Sequence, residues 1–342
     1  MSQKDKQPHD KFFRDAFSRK DIAKDYLKYF LPQQISKNLD LATLELQSDS
    51  YITPTLQDYY SDKIYTCNYK GKTKITISFL LEHKSFPPSY PHFQLLRYQI
   101  EIWEQQLKNK QALTPILPII IYHGQKKWTY KPLSSYFKGI DEPLKTYLPN
   151  FKYHLTDLSH YSDEQLLSLK MGFLLNTFLA LKHYKEETYI RQQFGLLLKL
   201  DGEDRNGNFT KALLVYLFRI TEIQPIELSK LLEQVEDHQT TTIMSTYDML
   251  IEEGKKRATK KAALEKILSI RTALGKDLTI DIIAIILNLS NDYVKNKQKE
   301  LQKENEILQL LKNKHTVKQI AKQLKISELV VEAIKSLKTK KQ

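Results

Sequence analysis

The sequence predicts an α/β protein in which a helix, three strands, a second helix and a fourth strand precede an all-helical region with helix-turn-helix-like repeats. Three observations support this prediction. Apolar residues alternate with polar ones in the segments that we interpret as strands. They recur every three or four residues in the segments that we interpret as helices. Two segments of the C-terminal region also align with each other as an internal repeat.

The opening helix is predicted over residues 9–31 and ends before Pro32, which cannot continue a helix. Aromatic residues recur within it at helical spacing, and these are Phe13, Phe17, Tyr26 and Phe30. This spacing indicates that one side of the helix faces the core.

Three predicted strands come next, at residues 39–46, 60–69 and 73–84. Their side chains alternate in polarity, and residues 70–72 around Gly71 are typical of the turn of a hairpin. The third strand becomes wholly apolar from Phe79 to Leu81, as a central strand does.

A second helix is predicted over about residues 92–108, after a proline-rich loop. Its apolar residues fall on one stripe, which consists of Phe93, Leu96, Ile100, Trp103 and Leu107. Residues 117–124 are predicted to form a buried strand, and residues 160–250 to be helical throughout. The chain of 342 residues exceeds what one core usually serves. We therefore divide it into an α/β domain at 1–165, a helical domain at 166–253 and a basic helical tail at 254–342.

Composition excludes several classes of protein. The longest apolar stretch, residues 116–122, is interrupted by Pro118 and is far shorter than a membrane span of about 20 residues. The N-terminal segment has no apolar core of a secretion signal, so we expect a cytoplasmic protein with no membrane partner. The single cysteine, Cys67, excludes an internal disulfide framework and a cysteine-built zinc site.

Positive charge is concentrated in the tail. Residues 254–342 contain 21 lysines and arginines against 9 acidic residues, whereas residues 1–253 contain 32 against 31. A basic tail on a neutral body predicts a polyanionic partner, and we expect DNA. The alternative is a solvated lysine-rich helix face. An anionic membrane surface is a weaker alternative, because the tail lacks Trp and Phe anchors.

The repeat within the tail relates residues 279–294 to residues 316–331 at a constant offset of 37. Each copy is typical of a helix-turn-helix, with a small residue, Ala284 or Ala321, where two helices cross. The turn position usually occupied by glycine carries other residues, Asn288 and Lys325. A plain helical hairpin is therefore the alternative for each copy.

The second copy is the better candidate for a helix that reads a DNA groove. Its recognition segment, residues 327–337, is followed by Lys338, Lys340 and Lys341, which can contact phosphates. The first copy places Asp292 at the corresponding helix start, where an anion is disfavoured.

The residues with the clearest chemical potential are Asp62, Glu82 and Lys84. Glu82 and Lys84 are two residues apart at the end of an apolar strand, so their side chains leave the same face. Asp62 opens the preceding strand, and a hairpin would bring the two carboxylates together. Two carboxylates and a strand carbonyl, that of His83, suit Mg²⁺, with Mn²⁺ as a substitute.

In such a site, a cation would polarise a scissile phosphate and Lys84 would orient the attacking water. The alternative is that these residues are ordinary solvated charges at a strand end. The preceding apolar strand favours the functional interpretation, because charges at the edge of a core are costly unless they bind something. Sequence motifs for other chemistries, including G-x-S-x-G and the phosphate-binding P-loop, do not occur, and the histidines lack metal-ligand spacing.

These segments resemble a bacterial family, the recombination-promoting nucleases (Rpn, YhgA-like). The resemblance covers about residues 8–165 and comes in the family's order. The matching segments are HDKFFRDAF at 9–17, LPQQI at 31–35, LDLATLEL at 39–46, YYSDKIY at 59–65, LLEHKS at 80–85, LLRYQIEIWE at 95–104, LPIIIYHG at 117–124 and YLPNFKYHLTDLS at 147–159. Residues 252–264 also resemble the family's charged linker.

The resemblance implies a PD-(D/E)XK, restriction-endonuclease-like core (αβββαβ) in residues 1–165, with Asp62 and Glu82 as metal ligands. Lys84 stands where the family usually has Gln and returns the motif to the superfamily's E-x-K. Gln94 and Tyr98 resemble the Q-x-x-x-Y helix of RecB-like nucleases, which implies that Gln94 contacts phosphate or a water at the metal. The alternative for Gln94 is a capping or exposed side chain.

The expected function is therefore a Mg²⁺-dependent DNA endonuclease that acts in recombination or transposon-like DNA mobility. One alternative is a catalytically inactive DNA-binding protein built on a nuclease fold. Another is a structural or partner-binding protein dominated by residues 160–342. The sequence leaves a homo-oligomeric state open.

Overall fold

The computed structural model describes residues 3–47, 63–82, 86–169, 172–199, 204 and 207–339. It divides the chain into two compact units, Met1–Tyr247 and Asp248–Gln342, which we call unit one and unit two.

Unit one contains a five-stranded sheet. Its strands are β1 (Leu39–Leu46), β2 (Lys63–Tyr69), β3 (Thr73–Glu82), β4 (Ile116–Tyr122) and β5 (His154–Asp157). The strands lie in chain order across the sheet. β1, β2 and β3 pair in antiparallel fashion, whereas β3, β4 and β5 pair in parallel. The mixed α/β class predicted from the sequence is confirmed.

The helices of unit one cover the sheet and extend beyond it. They are α1 (Gln3–Ala16), α2 (Lys20–Tyr29), α3 (Gln33–Ser36), α4 (Pro91–Lys108), α5 (Glu142–Lys145), α6 (Asp163–Ser168), α7 (Phe173–Lys182), α8 (Glu187–Gln192), α9 (Phe194–Leu198), α10 (Asn208–Ile220) and α11 (Pro225–Leu232). The long helix α12 (Asp237–Leu274) begins in unit one and ends in unit two.

The predicted hairpin turn joins β2 to β3. Lys70 and Gly71 both have positive φ angles, 50° and 69°, and Tyr69 pairs with Thr73 across the turn. Glycine adopts positive φ without a steric penalty, so Gly71 explains why the chain reverses here.

The two faces of the sheet bury different sets of residues. Phe79, Leu81 and Ile121 lie on one face and belong to the main core, which also includes residues of α1, α2, α7 and α10. Leu80 and Ile120 lie on the opposite face, in a smaller cluster with Leu95 of α4. Alternation along each strand assigns even-numbered residues of β3 and β4 to the α4 side. The main core includes Phe12, whose ring stacks on Tyr216 of α10 at 4.4 Å between centroids.

The predicted single helix over residues 9–31 is wrong, because two helices occupy it, α1 and α2. The aromatic residues Phe13, Phe17, Tyr26 and Phe30 are all buried, as their spacing predicts. The chain breaks at Arg19, which has an extended backbone. Its guanidinium lies 4.1 Å from the Phe173 ring and 3.2 Å from Asp204. These partners are distant in sequence, so the periodicity of the segment does not reveal the break.

The predicted buried stripe of α4 is also wrong. Phe93, Ile100 and Leu107 are 51%, 45% and 61% exposed. The buried face consists instead of Pro91, His92, Leu95, Tyr98, Gln99, Ile102 and Gln106. This face carries polar groups that tertiary contacts accommodate, because the Gln106 amide accepts from the Thr114 backbone N–H and donates to the Thr114 hydroxyl.

Strand β5 is an element that our sequence interpretation does not include. It has four residues, which is too short for an alternating pattern to stand out. Its pairing with β4 and a 2.6 Å hydrogen bond between the hydroxyls of Thr156 and Tyr26 hold it in the sheet.

A polar cluster joins α6 to the helices that follow it. Lys182, Tyr189 and His183 all bond the carboxylate of Asp163, with Tyr189 donating at 2.7 Å. Burial alone would raise the pKa of Asp163, but these hydrogen bonds outweigh it and hold the pKa at about 2. The carboxylate therefore stabilises the folded state in its ionised form.

We predict that Asp163→Asn lowers the free energy of unfolding at neutral pH by about 1–2 kcal/mol. The folded pKa lies below the unfolded value, so the contribution is present above the unfolded pKa and is lost as pH falls from about 4 towards 2. Denaturant unfolding across pH should therefore show the gap between wild type and variant narrowing below pH 4. Glu142→Gln, at an exposed ion pair, is the control and should change stability little. A gap that stays constant with pH would contradict the assignment.

Unit two contains both copies of the repeat. Its further helices are α13 (Ile280–Leu287), α14 (Asn291–Leu301), α15 (Glu304–Lys312), α16 (Val317–Leu324) and α17 (Glu328–Thr339). α13 and α14 belong to the first copy, and α16 and α17 belong to the second. Asn288 and Lys325 end the first helix of each copy with φ of 51° and 52°. The predicted correspondence of the two turns is therefore confirmed. Lys340, Lys341 and the Lys338 side chain lie outside the described residues.

We predict that Lys325→Gly stabilises the second copy by about 0.5–1 kcal/mol. The left-handed conformation costs residues with a Cβ about 1–2 kcal/mol, and glycine avoids this strain at a smaller entropic cost. Asn288→Gly should give a smaller gain because asparagine tolerates this conformation better. Hydrogen exchange of the α16 and α17 amides is the measurement. Slower exchange is expected for Lys325→Gly and faster exchange for Lys325→Val, and the reverse order would contradict the prediction.

Within the part of the chain that the structure describes, no helix combines the length and apolar character needed to cross a membrane.

Candidate active site

Glu82 is the last residue of β3 and is 5% exposed. Its partner in β4 is Tyr122, and the partner of Tyr122 in β5 is Asp157. Residues paired in a parallel sheet point to the same face, so these three side chains form one row. Neighbouring strands are about 4.8 Å apart, which places the backbones of Glu82 and Asp157 about 10 Å apart. The row lies at the carboxyl end of the three parallel strands, on the side covered by α4.

The pKa of the Tyr122 phenol reflects the two carboxylates beside it, at the carboxyl end of the parallel strands. Burial raises the pKa of Tyr122, and the nearby carboxylates of Asp157 and Glu82 raise it further, to about 12. Both carboxylates disfavour a phenolate between them, so Tyr122 stays neutral. Its hydroxyl donates a 2.8 Å hydrogen bond to the carbonyl oxygen of Lys126. The edge therefore combines two acidic side chains with a neutral hydroxyl.

Asp157 anchors the segment that follows β4. Its carboxylate accepts hydrogen bonds from the backbone N–H groups of Trp128 at 2.7 Å and Ser159 at 2.9 Å. The side chain is almost fully buried, and His160 lies 3.8 Å away. Our sequence interpretation does not single out Asp157. The available signal is the Asp-x-Ser pattern at 157–159, which is typical of a side chain that accepts from the backbone two residues on.

Gln94 lies in the first turn of α4 and is partly buried. Tyr98, one turn later, is buried against Ile64 of β2 and Ile102. Leu95 packs with Leu80, which precedes Glu82 by two residues on the same face. The structure therefore places the helix that carries Gln94 and Tyr98 on the side of the sheet that Glu82 faces.

Three of the predicted site residues, Asp62, His83 and Lys84, lie outside the described residues. Asp62 directly precedes β2 in the chain, and His83 and Lys84 directly follow Glu82. Among the described residues there is no group of three or more His, Cys, Asp or Glu side chains that could hold a metal ion. The predicted ligand set thus stays a prediction. Its chemistry, carboxylate and carbonyl oxygen atoms, is what Mg²⁺ prefers.

Comparison with known proteins adds to this geometry. The family model described as "Putative transposase, YhgA-like" matches residues 7–208. Recombination-promoting nuclease RpnD of Escherichia coli O157:H7 is 24% identical over 216 residues, which cover 61% of this chain and 80% of the relative. Recombination-promoting nuclease RpnC of Escherichia coli strain K12 is 26% identical over 215 residues, which cover 62% of this chain and 70% of the relative.

A third relative, of Escherichia coli strain K12, bears the name inactive recombination-promoting nuclease-like protein RpnE. It is 24% identical over 252 residues, which cover 72% of this chain and 82% of the relative. No solved structure matches this chain. The family model spans more than half of the chain, and the relatives carry the names that the sequence motifs predict. The chain therefore belongs to the family described as "Putative transposase, YhgA-like", and it is similar to proteins named recombination-promoting nucleases.

Proposed function

We propose that this chain is a Mg²⁺-dependent DNA endonuclease that acts in recombination or transposon-like DNA mobility. The observation that carries the proposal is the position of Glu82, a buried carboxylate at the carboxyl end of the central strand. The names of RpnD and RpnC, both nucleases, support it.

The topology supports a PD-(D/E)XK core in the proposal. The order is helix, antiparallel β1, β2 and β3, the crossover helix α4, and then β4 parallel to β3. In this αβββαβ arrangement the second and third strands meet the crossover helix at one edge. Glu82 lies at that edge, on the side that α4 covers.

We propose Asp62, Glu82 and the carbonyl of His83 as the ligands of the metal. Ile64 faces α4, since it packs against Tyr98. Asp62 precedes Ile64 by two residues and Lys84 follows Glu82 by two, the spacing that puts strand residues on one face. This two-residue spacing supports the proposal that the two carboxylates and the lysine lie on the α4 side of the sheet.

Each residue has a defined part in the proposed reaction. Bound Mg²⁺ would supply positive charge to the phosphate that is cleaved. Asp62 and Glu82 hold the cation through their carboxylates. Lys84 adds a second positive charge and orients the attacking water. Gln94, in the first turn of α4, donates from its amide to the phosphate and so positions the substrate.

Unit two is proposed to hold DNA. Three exposed positions of α13 carry Ile282, Ile285 and Ile286. The equivalent exposed positions of α16 carry Gln319, Lys322 and Gln323. α13 and α16 share a pattern of burial, yet at these three positions only α16 is polar and basic. This difference supports the second copy as the one that contacts DNA.

A catalytically inactive DNA-binding protein is the second candidate. The observation that favours it is the name of RpnE, an inactive nuclease-like protein with coverage of this chain similar to that of the nucleases. The two candidates differ in one measurable property, which is metal-dependent strand cleavage.

We predict that the full chain nicks supercoiled plasmid with Mg²⁺ or Mn²⁺ and does not in EDTA. Asp62→Asn and Glu82→Gln should each reduce the nicking rate at least about 100-fold, because each removes a ligand charge from the metal. Lys84→Gln should reduce the rate partially, since the family usually carries Gln there.

Glu104→Gln, at an exposed position of α4, is the matched control and should nick at the wild-type rate. Melting temperature should be nearly unchanged in all variants, and DNA affinity measured in EDTA should not fall in the two carboxylate variants. Nicking in EDTA at the full rate would contradict the metal assignment. A wild-type chain that binds DNA without nicking it under any metal condition would favour the inactive candidate.

A second prediction concerns the tail. Its lysines and arginines should release counterions on DNA binding, so affinity should fall steeply with salt. Deletion of residues 254–342 should flatten the salt dependence and raise the dissociation constant, while weak nicking survives in residues 1–253. Within the full chain, Lys318→Gln with Lys322→Gln should lower the slope by about 0.9 for each phosphate that the variant no longer neutralises. Ile285→Gln is the control from the first copy. An unchanged slope after the deletion would leave the basic tail as a solvated surface.

A further inference from the structure

A cavity of about 340 Å³ lies between the segment that precedes α4 and the segment that follows β4. Pro87 and Pro88 line it from the first segment. Lys127, Trp128, Lys131 and Tyr136 line it from the second. Pockets for small ligands begin at about 300 Å³, so a single flat group such as a nucleobase with its sugar fits this volume.

The cavity adjoins the row that contains Glu82. The Trp128 ring lies 5.2 Å from the ring of Tyr122, and the Trp128 backbone donates to Asp157. Tyr122 is the direct neighbour of Glu82 in the sheet. The Trp128 ring therefore packs on a residue that lies directly beside Glu82 in the sheet. A ligand in the cavity is therefore close to the proposed point of cleavage.

Exposed aromatic rings form the rim of the cavity. Tyr90 and Phe93 are 56% and 51% exposed. The Tyr90 ring lies 5.1 Å from Tyr136 in the lining and 5.9 Å from Phe93. Exposed aromatic rings that pack against one another offer π faces on which a flat ligand can stack.

A buried histidine packs against Tyr136, one of the aromatic residues of this rim. His92 is fully buried, and its ring lies 5.6 Å from that of Tyr136. Neither ring nitrogen has a hydrogen-bond partner among the described residues. Burial lowers the pKa of His92, so at neutral pH it packs as an uncharged ring. Tyr136 is thus held in place by packing, which preorganises the stacking surface.

The two segments that build the cavity contain no acidic residue. Residues 83–100 and residues 105–140 lack Asp and Glu altogether, and the second range contains six lysines. Residues 1–253 as a whole are nearly balanced in charge, so this concentration is local. Lys127 and Lys131 place part of this positive charge in the lining of the cavity. Aromatic rings interleaved with lysines are typical of surfaces that bind single-stranded nucleic acid.

We propose that this cavity and its aromatic rim, formed by Tyr90, Phe93 and Tyr136, bind an unpaired nucleotide of the DNA substrate. The site then acts on single-stranded DNA, or on DNA with unpaired nucleotides beside the cleaved bond. A base inside a duplex has both faces covered by its neighbours and cannot stack on a protein ring, whereas an unpaired base can. The proposal rests on the proposed nuclease function, which makes DNA the substrate. It adds that the site prefers unpaired nucleotides to paired ones.

The test measures binding by the full chain in EDTA, so that no cleavage interferes. The probes are a fluorescent single-stranded DNA of about 20 nucleotides, the duplex of the same sequence, and RNA of the same sequence. Tyr90→Ala and Phe93→Ala should each weaken single-strand affinity about tenfold and leave duplex affinity unchanged. Tyr90→Phe should retain the affinity, because the stacking face remains. Tyr147→Ala removes an aromatic ring that is 85% exposed and outside the cavity lining, and it should change nothing.

Lys127→Gln with Lys131→Gln provides a second readout. The salt dependence of single-strand binding should become shallower, by about 0.7 in slope for each phosphate that the variant no longer neutralises. Equal decreases in affinity for single strand and duplex, or no decrease with either alanine variant, would overturn the proposal. So would a preference for RNA over DNA of tenfold or more. Cleavage by Glu82→Gln would refute the proposed nuclease mechanism and leave this binding result standing, since binding is measured without metal.

Discussion

Burial of β3 on both faces is the constraint on which the candidate site depends. Every residue from Ile75 to Glu82 is buried. Pairing with β2 on one side and β4 on the other occupies the backbone of the strand. A strand enclosed in this way cannot slip by one residue, because the slip would exchange its two faces. Glu82 therefore stays on the α4 side of the sheet beside Tyr122, and its carboxylate lies at the end of the strand.

Local sequence patterns are sufficient for strands β1 to β4 and for the placement of Glu82 at the end of β3. Alternation identifies β1, β2 and β3, and the apolar run at Phe79 to Leu81 identifies the central strand, because these patterns follow directly from the two faces of a sheet. The family's motifs add the membership that the comparisons confirm. The roles of Asp62, Lys84 and Gln94 stay predictions, since spacing alone establishes a shared face and not a shared ligand.

Tertiary contacts account for the features that periodicity misses. The buried side of α4 contains His92, Gln99 and Gln106, whereas Phe93, Ile100 and Leu107 of the predicted apolar stripe are exposed. The first helix breaks at Arg19, whose guanidinium contacts Phe173 and Asp204 from far along the chain as well as the nearby Asp21. The same point applies to unit two, in which both copies of the repeat fold alike although their exposed residues differ. The apolar residues that the two copies share pack in the core of unit two, and the exposed residues of α13 and α16 are the ones that differ.

The arrangement of charge in unit one links the acidic edge to the lysine-lined cavity. Two unit charges about 10 Å apart interact by about 1.7 kcal/mol at an effective dielectric of about 20. The carboxylates of Glu82 and Asp157 would repel a phosphate by an energy of this order, and Lys127 and Lys131 would attract it by a similar amount. In the proposed site these two effects would oppose each other, and a divalent cation at the edge would reverse the sign of the first. In the proposed site, the cation and the nucleic acid therefore each strengthen the binding of the other, because the coupling free energy is reciprocal.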